Sequence, residues 1–314
     1  MVGESNKKDL ITLLDLDSDL EKVIDFGISL KTPGVFNEYV SALTNNSLAM
    51  IFEKSSTRTR VSFEVAMSQL GGHALFLSPK DLQLGRGETV ADTARVLSRY
   101  VNIIMYRAFS HDTMLELAEN ASVPVINGLD NLVHPCQIAA DLMTVKEHKG
   151  TLKGLTLAFV GDGNNVCNSL LLGCALVGIN IRVGCPDEYR PDSNILSQAQ
   201  DIAQNNGCTI TLTNNPKAAV KDSDVVYTDV WVSMGDEADK VERERVFKPY
   251  QVNKELITEA KDDCIVMHCL PAHRGLEITN EVIDSPRSVV FDEAENRLHA
   301  QKAIILYLLG LIKK

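Results

Sequence analysis

The amino-acid sequence predicts an α/β fold made of two doubly wound parallel-sheet domains with a cleft between them. The chain has 314 residues, which is long enough for two domains of ordinary size. Short apolar runs typical of buried strands alternate along it with segments of helical periodicity. The connections are short, and this pattern favours parallel strands joined by crossover helices.

The helix that begins at Pro135 is predicted to end near Lys149-Gly150, and this end marks the expected domain boundary. We expect one domain over residues 1–150 and a second over residues 151–295. The final helix, 296–314, carries too many apolar residues to stand alone. We expect it to join the first domain despite its distance in sequence.

Each half is predicted to alternate strands with helices. The strands predicted in the first half are 48–52, 74–77, 103–106 and 123–126. The helices predicted there are one that ends before Pro33-Gly34, one that the hydroxyl residues of 55–60 cap, 89–100, 112–120 and one from Pro135. The second half is predicted to contain strands 155–160, 181–185, 209–212, 225–227, 265–267 and 289–291, with a helix over 168–177.

Composition and charge exclude several classes of protein. Apolar residues make up 45% of the chain and charged residues 23%, which is typical of a soluble globular protein rather than a disordered or fibrous one. The net charge of −11 argues against nucleic acid or an acidic membrane as a partner, because both require basic surface. A phosphate group would therefore need a local cationic pocket.

Cysteine usage and hydropathy indicate a cytoplasmic protein. Seven cysteines, an odd number with no CxxC pair, do not form a disulfide framework and suit a reducing cytosol. The first residues contain no apolar signal core. The longest apolar stretch, 170–179, is well short of the roughly 20 residues that a membrane span requires.

Residues 48–72 are the segment around which the chain is organised. The apolar run 48–52 has the length of a buried strand, and four apolar residues with the spacing of an amphipathic helix follow. Between them lies Ser-Ser-Thr-Arg-Thr-Arg at 55–60, whose hydroxyl groups can cap the helix. A helix start carries partial positive charge, so it suits a phosphate, and two guanidiniums add donors. The alternative is an ordinary cap beside two solvated arginines.

Chemically active side chains follow several of the predicted strands. In open parallel sheets, ligands bind at the carboxyl ends of the strands, where the loops converge. Singly each residue is a weak signal, since an arginine after a strand is usually a surface residue and a lone histidine is usually structural. Their shared location favours a site. The residues and segments gathered in this way are 56–59, Arg107, His134, Gln137, 161–165, 229–235, 268–271 and Arg297 at the start of the last helix.

Gly-Asp-Gly-Asn-Asn-Val at 161–166 follows a strand and precedes a helix, as in dinucleotide-binding proteins. Val166 occupies the position of the third glycine of the G-x-G-x-x-G fingerprint. No acidic residue lies cleanly at the end of the next strand, although Asp187 is just beyond it. NAD binding is therefore disfavoured, and Asn164 and Asn165 suit a small polar ligand better.

A metal site and a cysteine nucleophile are both disfavoured. His268, Cys269 and His273 lie near Cys264 in sequence, but this spacing matches no structural zinc pattern. A buried strand edge with small polarizable side chains is the simpler interpretation. A nucleophilic pair of Cys269 with His134 lacks an orienting third group.

Four motifs resemble the ornithine carbamoyltransferases, and they occur in that family's order along almost the full chain. Ser-Thr-Arg-Thr by itself indicates only the broader carbamoyltransferase group. The Ser-Met-Gly loop and His-Cys-Leu-Pro together narrow the resemblance to the ornithine branch. The motifs are Ser-Thr-Arg-Thr at 56–59, His-Pro-Cys-Gln at 134–137, Asp229 with Ser-Met-Gly at 233–235, and His-Cys-Leu-Pro at 268–271.

The resemblance implies a transferase that moves the carbamoyl group of carbamoyl phosphate to the side-chain amine of L-ornithine, giving L-citrulline and phosphate. The first domain would bind carbamoyl phosphate, the second would bind ornithine, and the domains would close on both. The resemblance also implies homotrimers or assemblies of trimers, with the site near the subunit contact.

On the carbamoyl phosphate side, the resemblance implies that the helix start holds the phosphate and that Arg107 spans phosphate and carbonyl oxygen. His134 would polarise the carbonyl, and Gln137 would hold the carbamoyl NH2. The full set implied is Ser56, Thr57, Arg58, Thr59, Gln83, Arg107, His134, Gln137, Cys269, Leu270 and Arg297, of which Arg58, Arg107, His134 and Cys269 are the catalytic group.

On the amino-acid side, the resemblance implies that Asn165 holds the ornithine α-carboxylate. Asp229 and Ser233 would take the α-ammonium, with help from the Met234 backbone. Cys269 would lie beside the side-chain amine, and the Leu270 carbonyl would face the carbamoyl NH2.

These roles fit the chemistry of direct attack through a tetrahedral intermediate. The neutral δ-amine attacks the carbamoyl carbon, an oxyanion develops and phosphate leaves as an anion. Fixed donors aimed at both charges are each worth roughly 3–4 kcal/mol of barrier. The departing phosphate can accept the amine proton, so no metal, cofactor or covalent enzyme intermediate is required.

Three other hypotheses remain. The chain could be a sister carbamoyltransferase acting on putrescine, N-acetylornithine or aspartate, although putrescine would leave Asn165 and Asp229 without partners. It could be an NAD-dependent dehydrogenase, which the missing third glycine opposes. It could be a non-catalytic relative that keeps the fold, which the presence of both halves of the site opposes.

Overall fold

A computed structural model describes residues 7–78, 82, 83, 87–232 and 237–313. The chain forms two compact units, one made of Met1–Met143 with Asn296–Lys314 and the other of Thr144–Glu295. Each unit contains one sheet, and the strands paired within each described sheet are parallel. The predicted fold class of two parallel-sheet α/β domains is confirmed.

The sheet of the first unit consists of β1 (Ser47–Phe52), β2 (His73–Leu77), β3 (Ile103–Arg107) and β4 (Val125–Leu129). Its strand order is β2-β1-β3-β4. Strand β1 is buried from Leu48 to Phe52, as expected when helices cover both faces of a sheet. The strand order reverses between β1 and β3, and ligands of open α/β sheets bind at such a reversal.

The sheet of the second unit consists of β5 (Thr156–Val160), β6 (Asn180–Gly184), β7 (Ile210–Thr213), β8 (Val225–Thr228) and β9 (Ile265–His268). Its strand order is β7-β6-β5-β8-β9, so the reversal lies between β5 and β8. The loops that leave these two strands carry Asn164 and Asp229. The topology therefore brings the predicted polar residues of this unit to its own ligand-binding edge.

Helices connect the strands and cover the sheets. From the N-terminus to the domain boundary they are α1 (Leu20–Ser29), α2 (Pro33–Phe36), α3 (Thr57–Gln69), α4 (Val90–Leu97), α5 (His111–Asn120) and α6 (Pro135–Lys149). The remainder are α7 (Asn165–Val177), α8 (Ser193–Asn206), α9 (Pro216–Val220), α10 (Lys240–Phe247), α11 (Lys254–Ile257), α12 (Asn280–Ile283) and α13 (Val290–Leu308). Short 3-10 turns occupy Leu13–Asp15, Asp17–Asp19, Asp187–Tyr189, Glu237–Asp239 and Lys248–Tyr250.

Local sequence signals explain where several helices begin. Ser56 caps α3 by accepting a hydrogen bond from the Thr59 N–H, and Thr89 caps α4 in the same way. Pro135 is the first residue of α6, where a missing N–H costs nothing. Helix α7 begins three residues earlier than predicted, because the Asn164 side chain caps it.

Two predictions about the C-terminal segment are wrong. Residues 289–291 are not a strand, because α13 begins at Val290. A three-residue apolar run does not distinguish a strand from a buried helix turn, and here the buried residues Val290, Glu293 and Arg297 recur at helical spacing. Arg297 therefore lies inside α13 rather than at its start.

The boundary between the two units lies inside α6, between Met143 and Thr144. The sequence-based boundary after residue 150 lies at the end of the same helix. Helix α13 likewise continues from the second unit into the first, which begins again at Asn296.

Candidate active site

The start of α3 is the first part of the site. The Ser56 Oγ accepts from the Thr59 N–H at 3.3 Å. Arg58 is half-buried and Thr59 is buried, so the two predicted anion-binding residues lie partly away from bulk water. The first N–H groups of a helix point outward along its axis, which makes this end a donor surface for an anion.

Arg297 connects three elements of the first unit. Its Nη2 donates to Thr59 Oγ1 at 3.1 Å, and its Nη1 donates to Gln137 Oε1. The arginine is only 2% exposed, so α13 delivers a buried cation to the starts of α3 and α6. The structure thus joins residues that are 238 positions apart in sequence.

Gln137 is held in one orientation from both ends of its amide. The oxygen accepts from Arg297, and the Nε2 group donates to Asp141 Oδ1 at 2.8 Å. Asp141 is buried one helical turn further along α6. Sequence reasoning missed Asp141, although its i+4 spacing from Gln137 was an available signal.

His134 lies in a strongly cationic environment. Burial, followed by the guanidiniums of Arg297, Arg107 and Arg58, holds the pKa of His134 well below its ordinary value of 6.5. The imidazole is therefore neutral at pH 7, with one N–H to donate. Arg107, at the end of β3, donates from Nη1 to the Gly128 carbonyl at 3.4 Å. The structure thus brings four predicted residues together.

Asp130 fixes the loop that leads to His134. Its Oδ1 accepts from the Leu132 and Val133 N–H groups at 2.8 and 2.7 Å. Its Oδ2 accepts from the Asn127 side chain at 2.8 Å and bonds His111 Nδ1 at 2.6 Å. The carboxylate is fully buried, and sequence reasoning missed it because its partners lie in three separate segments.

Gln83 and Cys136 of the first unit do not belong to this cluster. Gln83 is exposed, and in the described part of the chain no hydrogen bond joins it to the cluster. Cys136 is fully buried, its Sγ donates to the Asn127 carbonyl, and burial raises its pKa to about 12. Cys136 therefore has a structural role.

The second unit gathers the ends of β5, β8 and β9 around Asp229. Asn164 Nδ2 donates to Asp229 Oδ2 at 2.8 Å, and Cys269 Sγ donates to Asp229 Oδ1 at 3.0 Å. Asn165, the first residue of α7, is half-buried beside them in sequence. Three residues predicted from separate motifs therefore share one edge of the sheet. Ser233 and Met234 lie outside the described residues.

The Gly-x-Gly sequence after β5 has a packing explanation. Gly161 has a φ of +145°, which an L side chain rarely adopts. A Cβ on Gly163 would lie 2.2 Å from the Pro191 backbone N. The two glycines serve the turn itself, and Asn164 caps α7 through its own side chain. This geometry does not require a dinucleotide.

Asp229, His268 and Cys269 place their ligand atoms within 4.8 Å of one another, a spacing that a metal ion could use. Both ring nitrogens of His268 are engaged, however, one with the Leu270 N–H and the other with Glu277. Asp229 and Cys269 alone are fewer ligands than a protein zinc site uses. The residues therefore do not fit a zinc site as arranged.

None of the described helices is long and apolar enough to cross a lipid bilayer. The seven cysteines form no disulfide.

Residues 8–147 match the family model for the aspartate/ornithine carbamoyltransferase carbamoyl-P binding domain, and residues 153–308 match the model for the Asp/Orn binding domain. The chain belongs to the aspartate/ornithine carbamoyltransferase family. The family predicted from the four motifs is thereby confirmed.

Individual members of the family are similar over nearly their whole length. An ornithine carbamoyltransferase of Picrophilus torridus is 56% identical over 97% of this chain and 100% of its own. An ornithine carbamoyltransferase of Methanosarcina acetivorans is 54% identical over 96% of this chain and 99% of its own. The structure of ornithine carbamoyltransferase from Pyrococcus furiosus, 52% identical, superposes with a TM-score of 0.94 and covers 98% of each chain.

Proposed function

We propose that this chain transfers the carbamoyl group of carbamoyl phosphate to the δ-amine of L-ornithine, giving L-citrulline and phosphate. The observation that carries the proposal is the cationic cluster of the first unit. The guanidiniums of Arg297, Arg107 and Arg58 lie around a neutral His134, and Arg297 links this cluster to the capped start of α3. A doubly charged acyl phosphate is a ligand that such a cluster suits.

The first unit would bind carbamoyl phosphate. A phosphate cradle at the start of α3 would be formed by Ser56, Thr57, Arg58, Thr59 and Arg297. Arg297 donates a hydrogen bond to Thr59, which ties the buried guanidinium to the start of α3. Gln83, which is exposed, would also contribute, a role that rests on the family resemblance alone.

Arg107, His134 and Gln137 would act on the carbamoyl group. Neutral His134 donates one hydrogen bond to the carbonyl oxygen, where negative charge develops during attack. Gln137 is fixed between Arg297 and Asp141, so its amide has a defined position toward the carbamoyl NH2. Arg107 would bridge the phosphate and the developing oxyanion.

The second unit would bind ornithine. Asn165 would hold the α-carboxylate, and Asp229, with Ser233 and the Met234 backbone, would take the α-ammonium. Both oxygens of Asp229 already accept a hydrogen bond, and each has a further lone pair for an ammonium group. Cys269 and the Leu270 carbonyl would face the reacting amine and the carbamoyl NH2.

The reaction balances without an added group. The δ-amine, as the free base, forms a bond to the carbamoyl carbon and generates a tetrahedral intermediate. The bond to the phosphate oxygen then breaks, the carbonyl re-forms, and the amine proton leaves with phosphate. The protein supplies orientation and fixed positive charge.

A substrate panel tests the proposed acceptor. Purified protein is incubated with carbamoyl phosphate and equal concentrations of ornithine, putrescine, N-acetylornithine or aspartate, and the carbamoylated product is quantified. Citrulline formation should exceed every other product. An equal or faster rate with another amine would show that ornithine is not the preferred acceptor.

Arg58→Gly tests the cradle, and Arg60→Gly is its matched control on the same helix. Arg60 is exposed, pairs with Glu64 at 3.0 Å and packs on the Phe76 ring. Both variants carry the same helix penalty, but only Arg58→Gly should lose turnover. Similar activity in the two variants would refute the phosphate role of Arg58.

We further propose a homotrimer or an assembly of trimers and a cytoplasmic location. The trimer rests on the family resemblance. Two exposed apolar residues, Val61 on α3 and Leu75 on the edge strand β2, are candidate contacts between subunits. The cytoplasmic location is supported by seven cysteines that form no disulfide, which suits a reducing compartment. Light scattering should give about three times the 34.5 kDa chain mass or a multiple of that value.

A further inference from the structure

A buried histidine, the last residue of β9, carries an inference beyond the residues assigned above. We propose that His268 and Glu277 form a positioning pair that fixes the backbone of Cys269 and Leu270. This inference rests on the proposed function, because it assumes that Cys269 and Leu270 contact the substrates. Neither member of the pair would itself touch them.

The hydrogen bonds determine the tautomer of His268. The Leu270 N–H can only donate, and it lies 2.9 Å from Nδ1, so Nδ1 must be the lone-pair acceptor. The proton is therefore on Nε2, which lies 3.1 Å from Glu277 Oε1. Glu277 thus selects the tautomer that can accept from Leu270.

Leu270 has a backbone conformation that needs this support. Its φ is +55°, in the left-handed region that a leucine side chain disfavours. Without the Nδ1 acceptor, the Leu270 N–H would lose its partner, and a relaxed φ would move the peptide groups on either side. The carbonyl of Leu270 and the thiol of Cys269 would then both change direction.

The same network anchors the end of β9. Glu293 Oε2 accepts from the His268 backbone N–H at 2.9 Å, and its Oε1 accepts from the Tyr227 hydroxyl at 3.1 Å. Glu277 Oε1 also accepts from the His273 N–H. Residues 268–273 are therefore held at His268 and His273 by two buried carboxylates, and at Leu270 by the His268 ring.

Burying His268 and Glu277 in the core is energetically unfavourable. His268 and Glu277 are both 0% exposed, and in the described part of the chain Glu277 Oε2 has no hydrogen-bond partner. Apolar side chains of similar volume would fill this space without burying a carboxylate. The pair therefore contributes a defined loop conformation more than it contributes stability.

Two substitutions of one residue separate positioning from packing. In His268→Asn, the amide oxygen can replace Nδ1 as the acceptor for the N–H two residues on. In His268→Leu, the volume is kept and the acceptor is lost. Positioning predicts that His268→Leu lowers kcat with ornithine by about 10²-fold while the KM for carbamoyl phosphate changes little, and that His268→Asn recovers most of kcat.

Cys269 supplies a readout that does not depend on catalysis. It is half-buried and the other six cysteines are buried, so iodoacetamide labelling of the native protein reports on this loop. His268→Leu should be labelled several-fold faster than the unmodified chain, and His268→Asn at close to its rate. His273→Leu is the matched control, because His273 is exposed and in the described part of the chain it bonds through its backbone alone; it should change neither kcat nor labelling.

The outcomes are distinguishable. Equal or higher kcat in His268→Leu than in His268→Asn, with equal labelling rates, would overturn the positioning pair and leave a packing role. If the chain formed no citrulline but the labelling order held, the proposed function would fail and the loop assignment would stand. Should His268→Leu not fold, Glu277→Leu compared with Glu277→Gln, which keeps the acceptor oxygen, gives the same test.

Discussion

At the scale of single residues, His134 shows how an environment sets a chemical role. Burial and then three guanidiniums disfavour its charged form and lower its pKa, so it stays a neutral N–H donor. A neutral donor can stabilise an oxyanion without giving up its proton. The fixed positive charges are supplied by Arg58, Arg107 and Arg297.

The lowered pKa of His134 predicts a loss of stability on acidification. Below about pH 6.5 His134 is protonated in the unfolded chain but stays neutral in the folded chain. The free energy of unfolding therefore falls as the pH falls. The slope is at most about 1.4 kcal/mol per pH unit. We expect the decrease in melting temperature between pH 7.5 and 5.5 to be smaller in His134→Gln than in the unmodified chain. An identical decrease would contradict the assignment.

Asp141 provides a second residue-scale prediction. Because its carboxylate holds the Gln137 amide, Asp141→Ala should free that amide and lower kcat/KM for carbamoyl phosphate by about tenfold, or about 1.4 kcal/mol. Asp141→Asn keeps an oxygen acceptor and should recover most of the loss. Steady-state kinetics on the pair measure this. Equal kinetics in both variants would show that Asp141 acts only in packing.

At the scale of elements, strand ends and helix starts position the chemistry. Ser56 and Pro135 mark the starts of α3 and α6, and both starts were predicted because capping and first-turn preferences are local. The start of α13 was not predicted, because Val289, which directly precedes it, is neither a capping residue nor a proline. Arg297 was therefore placed at a helix start although it lies in the interior of α13.

The loop before α6 yields an element-scale prediction. The hydrogen bond to Asp130 raises the pKa of His111 above 6.5, so its contribution to stability is complete below that pH and is lost as pH rises through the raised value. A charged hydrogen bond contributes about 1.5–3 kcal/mol. His111→Ala should therefore lower the melting temperature by several degrees more at pH 6 than at pH 9.

The sign of this effect is opposite to that of His134, which separates the two histidines. Thermal unfolding of both variants across one pH series provides the measurement. An equal deficit of His111→Ala at both pH values would indicate that the ring only fills space.

At the scale of the whole molecule, a chain with a net charge of −11 nevertheless brings three guanidiniums together around His134. The sequence predicted two parallel-sheet domains because strand and helix periodicities alternate over most of its length. It also predicted most of the cluster, since motif residues follow the strands. Asp130, Asp141 and Glu277 were missed, because buried carboxylates that orient other residues follow no local pattern.

The proposed division of labour predicts linked binding. Carbamoyl phosphate should raise the melting temperature alone, whereas norvaline, which has the α-groups of ornithine but no δ-amine, should add appreciably only after carbamoyl phosphate is bound. A melting series with each ligand alone and with both together tests this. Full stabilisation by norvaline alone would contradict ordered binding.

The central claim is that the first unit grips the phosphate of the acyl donor at the start of α3. A crystal structure with a phosphonate bisubstrate mimic measures this directly. The phosphonate oxygens should lie within hydrogen-bond distance of residues 56–59, with Arg107 and Arg297 beside them. A phosphonate bound at any other place would contradict the account.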